Sequence, residues 1–222
     1  MAVALIVAAG RGERLGSGRP KALVTVAGKP MLEWSVEALR AVDAVQEIVV
    51  ALPADALAAA PGDTVAVAGG ETRSQSVREA LRASGDTDPV IVHDAARPLA
   101  TPELFWRALA ELENSPADAV IAAAPVADTI KEVGTDGRTV VRTLDRARLW
   151  AVQTPQVFRR AALERALHGA SDELLSTATD DAWLIERAGG TVRIVDGGPQ
   201  NLKITTMTDL HIAELLLQER GG

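Results

Sequence analysis

Cysteine is absent from this chain, which excludes disulfides, thiolate zinc sites and a cysteine nucleophile, and agrees with a cytoplasmic location. Histidine is scarce. His93, His168 and His211 are too few and too scattered to form a metal cluster. The N-terminal apolar run, Ala2 to Ala9, falls far short of the ~20 residues a bilayer span requires and has no basic residues ahead of it. It reads neither as a membrane helix nor as a signal peptide, so no membrane partner is expected. Positive charge is also in short supply: 23 lysines and arginines face 30 carboxylates, for a formal charge of −7. General nucleic-acid binding needs a basic face that replaces many counterions, so nucleic acid is not an expected partner.

Apolar periodicity is what the sequence does have. At 222 residues and 47% hydrophobic content, the chain can bury a substantial core and is most simply one α/β domain, 1–222, with one appendage. Runs suited to buried strands recur at Ala4–Ala8, Glu47–Leu52, Thr64–Val67, Pro89–His93 and Ala119–Ala123, with amphipathic segments between most of them. The alternation predicts a doubly wound, mostly parallel α/β sheet. Pro30 is expected at the first position of a helix carrying Leu32, Val36 and Leu39 on one face. A second helix is expected from Ser74 to about Ala83, and a third after Thr101-Pro102-Glu103.

From about 126 to 150 the pattern changes. The β-branched segments Asp128–Val133 and Arg138–Leu144 flank Asp136-Gly137, and together they read as a β-hairpin arm. A lone two-stranded hairpin is marginal in water and should find a partner surface, for which a second subunit is the obvious candidate. A Thr-Pro turn, helices around Ala161–His168 and after Thr179-Asp180, a strand near Thr191–Val195 and a terminal helix from Thr208 to about Arg220 complete the expected order.

The first strand empties into Gly10-Arg11-Gly12-Glu13-Arg14-Leu15-Gly16-Ser17-Gly18-Arg19-Pro20-Lys21. Its glycines let backbone N–H groups approach an anion, and its cations stand beside them. A Walker loop is excluded because Gly18 is followed by Arg19-Pro20, and the dinucleotide fingerprint fails at its third glycine. Within the first thirty residues Arg11, Arg14, Arg19, Lys21 and Lys29 oppose only Glu13. Such a concentration inside an acidic protein suits a small polyanionic substrate.

Three further segments stand where ligands of open α/β sheets bind, after the strands. Gly69-Gly70-Glu71-Thr72-Arg73-Ser74-Gln75-Ser76 would let a flat base lie on backbone, with Ser76 reading its edge; an ordinary loop with Ser74 as helix cap accounts for it equally. In His93-Asp94-Ala95-Ala96-Arg97-Pro98, Asp94 is a candidate ligand for a Mg²⁺ bound mainly by substrate phosphates. Arg97 would neutralise a phosphate there, and an Asp94–Arg97 ion pair is the structural alternative. Thr129, Arg146, Thr154, Thr179 and Lys203 each have a bland account as cap, turn or surface residue, and spacing alone does not unite them.

Taken together these segments resemble the 2-C-methyl-D-erythritol 4-phosphate cytidylyltransferases of the non-mevalonate isoprenoid pathway. The resemblance rests on Ala8-Ala9-Gly10-x-Gly12-x-Arg14, Pro20-Lys21, Gly69-Gly70, His93 to Pro98, Asp128-Thr129, Thr154-Pro155-Gln156, Thr179-Asp180 and Asn201-Leu202-Lys203-Ile204-Thr205. It implies cytidylyl transfer from CTP to methylerythritol phosphate, with Mg²⁺ held largely by CTP, in a homodimer joined through the hairpin arm. Arg14, Lys21 and Lys203 would then be catalytic. Ala8, Ala9, Gly10, Gly12, Gly70, Glu71, Ser76, Asp94 and Ala95 would hold the nucleotide. Arg97, Thr129, Arg146, Thr154, Thr179 and Lys203 would hold the acceptor. Glu71 stands where the family often has Asp, and Arg11 and Arg19 read as solvated flanks. A ribitol 5-phosphate cytidylyltransferase, differing only in the acceptor pocket, and a non-catalytic nucleotide-binding regulator are the competing readings.

Overall fold

The computed structural model describes residues 1–12 and 18–221. Its strands are β1 (Ala2–Val7), β2 (Thr25–Val26), β3 (Lys29–Pro30), β4 (Val45–Leu52), β5 (Val65–Ala68), β6 (Val90–Asp94), β7 (Ala119–Pro125), β8 (Lys131–Val133), β9 (Val140–Thr143), β10 (Trp150–Phe158) and β11 (Val192–Asp196). The helices are α1 (Met31–Arg40), α2 (Arg73–Ala83), α3 (Pro102–Glu113), α4 (Arg160–His168), α5 (Asp172–Thr177), α6 (Asp181–Arg187) and α7 (Met207–Gly221).

A seven-stranded sheet in the order β11-β7-β10-β6-β1-β4-β5 forms the centre. All neighbours in it pair in parallel except those of β10, which is antiparallel to both β6 and β7. The two-residue period of β1 divides the core. Ala4, Ile6 and Ala8 face Leu32, Val36, Leu39 and Phe105 on one side, while Val3 and Leu5 face Val77, Leu81, Leu163 and Ile185 on the other. Because both faces are covered by helices, β1 is apolar at every position.

The doubly wound, mostly parallel sheet is as the periodicity predicts, and four local expectations are corrected. Trp150–Phe158 is a strand rather than a Thr-Pro turn, and its register against β7 shifts between Val152 and Gln156. That irregularity accommodates Pro155, which has no N–H to give a ladder. Pro30 is the N-cap of α1, not its first residue. Thr72 rather than Ser74 caps α2, because Thr72 and Gln75, three residues apart, satisfy each other's backbone N–H groups in a capping box. Asp180, not Thr179, caps α6 by accepting from the Trp183 N–H at 2.9 Å. The small β2–β3 ladder and α5 had no expectation.

The hairpin arm forms from β8 and β9. Asp136 closes its turn by accepting from the Arg138 and Thr139 N–H groups at 2.9 Å each, and Gly137 takes the left-handed φ of 67° the turn needs. Every residue of both strands is exposed.

Candidate active site

Strand order reverses at β1 and β6, where connections leave to opposite sides of the sheet. Their carboxyl ends open a cleft of about 430 Å³. Its floor is Val7 to Gly10 and Asp94 to Ala96, and Gly70 to Arg73, Ser76, Lys21 and Lys203 stand around it. Ala8, Ala95 and Ala96 leave room above the floor with their small side chains. Gly12 has φ 68°, and a Cβ there would lie 2.6 Å from Lys21 Cβ, so the missing side chain lets Lys21 pack back against the loop. Lys21 is fixed there by its own N–H, which donates to the Gly10 carbonyl at 3.1 Å. A Cβ on Gly69 would lie 2.4 Å from that of Ala9, so this glycine joins the β1 and β5 loops rather than offering a platform for a base. Ser76 is buried, and its hydroxyl donates to the Thr72 carbonyl at 2.9 Å, which leaves only acceptor capacity for a ligand. Arg11, expected to be a solvated flank, lines the cleft while remaining exposed.

One wall of the cleft is a charge cluster. Asp94 is 6% exposed and pairs with Arg73 Nε at 3.0 Å and Lys203 Nζ at 2.6 Å, not with Arg97. Burial pushes its carboxyl up, but Arg73 and Lys203 together hold it well below the usual carboxylate range. Arg73 also donates through Nη1 to Asp181 Oδ2. Asp181 is wholly buried, and desolvation raises its pKa despite that partner. The Asp94 N–H donates to Thr154 Oγ1 at 3.0 Å, and the same hydroxyl lies 3.0 Å from His93 Nδ1. The hydroxyl keeps one proton and one lone pair beyond its bond from Asp94, so it can pair with Nδ1 in either tautomer of the imidazole.

A second cleft of about 240 Å³ shares Arg73, Asp94 and Lys203 with the first. It adds Arg97, Thr154, Thr179, Gln153 and Gln156. Arg97 is buried and donates to the carbonyls of Asn201 at 2.6 Å and Val152 at 3.3 Å. Asn201 braces the β10 irregularity by donating to Gln153 Oε1 and the Thr154 carbonyl, each at 2.9 Å.

The fold therefore gathers Ala8, Ala9, Gly10, Gly12, Lys21, Gly70, Glu71, Ser76, Asp94, Ala95 and Lys203 around one cleft, and Arg97, Thr154, Thr179 and Lys203 around its neighbour. Thr129 and Arg146 are not brought there. Both are exposed on the arm side, where Arg146 donates to the Ala127 carbonyl. Arg14 lies outside the described residues. Arg73, Asp181 and Asn201 are functional candidates that sequence reading passed over. A faint signal existed for Arg73, a cation in the first turn of a helix, where the dipole disfavours it unless carboxylates are near.

The sequence profile described as 2-C-methyl-D-erythritol 4-phosphate cytidylyltransferase matches residues 2–219. The chain belongs to that family. A cytidylyltransferase of this name from Saccharopolyspora erythraea is 46% identical over 226 residues, covering 97% of this chain and 98% of its own. One from Frankia casuarinae is 50% identical, covering 96% and 80%. The crystal structure of the Thermus thermophilus cytidylyltransferase superposes with a TM-score of 0.82 at 34% identity, covering 98% of this chain and 100% of its own. Membership makes the chain a nucleotidyltransferase of isoprenoid synthesis. For such an enzyme the metal question is specific. Among the described residues no group of three or more His, Cys, Asp or Glu side chains is placed to hold an ion, and among them no helix is long and apolar enough to cross a membrane.

Proposed function

We infer that the chain transfers the cytidylyl group of CTP to 2-C-methyl-D-erythritol 4-phosphate, giving 4-diphosphocytidyl-2-C-methyl-D-erythritol and pyrophosphate. The observation that carries this reading is the meeting of two clefts on one charged wall, Arg73, Asp94 and Lys203. Joining two phosphates requires two anion sites that touch.

The acceptor's phosphate has a second pKa near ~6 and is mostly dianionic at neutral pH, so the reaction needs no strong general base. One of its oxygens attacks the α-phosphorus of CTP, and the bond to the bridging oxygen breaks in line, its electron pair leaving with pyrophosphate. The protein's task is to hold two mutually repelling anions and to offset their charge. We assign Lys21 and Arg14 to the triphosphate, with backbone from Ala8, Ala9, Gly10 and Gly12 around it. Gly70, Glu71, Ser76, Asp94 and Ala95 surround the cytidine. Lys203 stands where the clefts meet and serves the reacting phosphates, and Arg97, Thr154 and Thr179 serve the acceptor.

A Mg²⁺ bound mainly by nucleotide phosphates suits a cleft whose lining, among the described residues, has Asp94 as its one buried carboxylate. Each oxygen of Asp94 accepts one bond from a cation and retains a second lone pair, so Asp94 fits as its one protein contact. The ion would supply charge neutralisation across the phosphates. Thr129 and Arg146 reach an acceptor site only from a neighbouring copy, so the reading includes a homodimer joined by the arm of an otherwise single domain. A cytoplasmic location follows from the nucleotide substrate.

Pyrophosphate release measured with each of the four nucleoside triphosphates, against methylerythritol phosphate and ribitol phosphate, with and without Mg²⁺, tests the reading. Turnover confined to CTP, methylerythritol phosphate and Mg²⁺ is expected. Preference for ribitol phosphate would replace the acceptor assignment, and no turnover with any pair would leave a nucleotide-binding regulator.

A further inference from the structure

Arg73 opens α2 at the end of the helix where the backbone dipole repels a cation. Two carboxylates from distant parts of the chain compensate it. Its Nε donates to Asp94 Oδ1 at 3.0 Å, and its Nη1 donates to Asp181 Oδ2. Asp181, the first residue of α6, is wholly buried, and its other oxygen has no partner among the described residues. Lys203 Nζ takes the remaining oxygen of Asp94 at 2.6 Å. Charges thus alternate from Asp181 through Arg73 and Asp94 to Lys203, crossing the wall that the two clefts share.

A guanidinium beside a carboxylate favours the bidentate arrangement, in which both carboxylate oxygens are occupied by one arginine. Arg73 instead meets Asp94 through Nε alone, with Asp181 holding Nη1 on the other side. We propose that Asp181 is a positioning residue for the transfer: by drawing Arg73 away from a bidentate grip on Asp94, it keeps one Asp94 oxygen for Lys203 and so sets the ammonium where the clefts meet. The inference rests on the transfer proposed above for its functional consequence, while its geometric content stands without turnover.

Trace acetylation of the wild-type protein and of Asp181→Asn, read by mass spectrometry, reports the reactivity of Lys203 directly. The ammonium is held by Asp94 at 2.6 Å, so loss of that partner frees it for the reagent, and its labelling is expected to rise roughly tenfold. Asp181→Asn should also lower kcat roughly tenfold, and should lower it by no more than about twofold in a Lys203→Ala background, because the two act in series. Replacing the pair, Arg73→Met with Asp181→Leu, removes the competitor for Asp94 and should return Lys203 to about its wild-type protection. A folded Asp181→Asn protein with unchanged Lys203 reactivity would overturn the proposal, as would an equal loss of kcat with and without Lys203, or a reactive Lys203 in the paired replacement. If Asp181→Asn does not fold, Asp181→Ser, which leaves room for water beside Nη1, carries the same expectations. Labelling needs no turnover, so its failure is separable from failure of the wild-type protein to use CTP.

Discussion

His93 is fully enclosed, with Thr154 Oγ1 at its Nδ1 and the ring of Phe105 edge-on at 5.0 Å. Burial disfavours its cation, with Asp94 opposing and Arg97 adding to the effect, and its pKa falls to about 4. In the unfolded chain an imidazole titrates near ~6.5. Between those values the unfolded state binds more protons, so this contribution to stability is complete above the unfolded pKa and is lost as pH falls toward the folded one. His93→Asn, which keeps an acceptor near the Nδ1 position, is expected to remove up to about 3 kcal/mol of pH dependence from that window. Urea unfolding of both proteins at pH 7 and pH 4.5 measures it, and equal pH dependence would argue against a neutral buried imidazole. At this scale the sequence is informative about residue types near strand ends: the glycine-rich loop points to Lys21 and an apolar strand to Asp94, whereas Lys203 enters only through the family resemblance. Arg73 escaped because its partners lie 21 and 108 residues away, and no local pattern encodes such a contact.

Among the elements, α7 and the loop before it show how a cap reaches the site. Asp209 Oδ2 accepts from the Thr205 N–H at 2.8 Å, its hydroxyl at 2.7 Å and the Thr206 N–H at 2.7 Å. Burial pushes the carboxyl up, but these donors outweigh it and bring it down to about 2. The helix then docks Leu210, Ala213 and Leu217 with Ile204 and Val26, which fixes the loop carrying Lys203. Thr206 caps the helix by accepting from the Asp209 N–H at 3.2 Å, so Asp209→Ala removes the reciprocal half of a capping box and is expected to cost about 1 kcal/mol and to lower kcat through Lys203. A chemical denaturation midpoint equal to wild type would count against that cap. Helical and strand periodicity made most elements legible. β10 was not, because Gln153, Pro155 and Gln156 interrupt its apolar pattern, and only pairing with β6 and β7 on both sides makes it a strand.

For the whole molecule the arm is decisive. Val133, Val140 and Val141 on it, and Trp150 and Val152 at its base, are exposed in the single chain. The proposed homodimer covers them and carries Thr129 and Arg146 into a neighbour's acceptor cleft. Val140→Lys with Val141→Lys places two charges in that contact, and is expected to shift sedimentation from dimer to monomer and to raise KM for the acceptor more than for CTP. A monomeric wild-type protein with full activity would remove the arm from the site.

The sequence by itself determined the alternating α/β order, the glycine-rich loop after the first strand and the chemical character of most site residues, since periodicity and turn chemistry are local. Tertiary structure alone decided which charges meet. The reversal of strand order brings the ends of β1 and β6 together, and the long-range pairing of β10 sets Thr154 against Asp94. Burial then makes a partner obligatory for Asp94 and Asp181, and the half-buried Arg73 serves both, because an unpaired charge away from water costs far more than any local preference can offset.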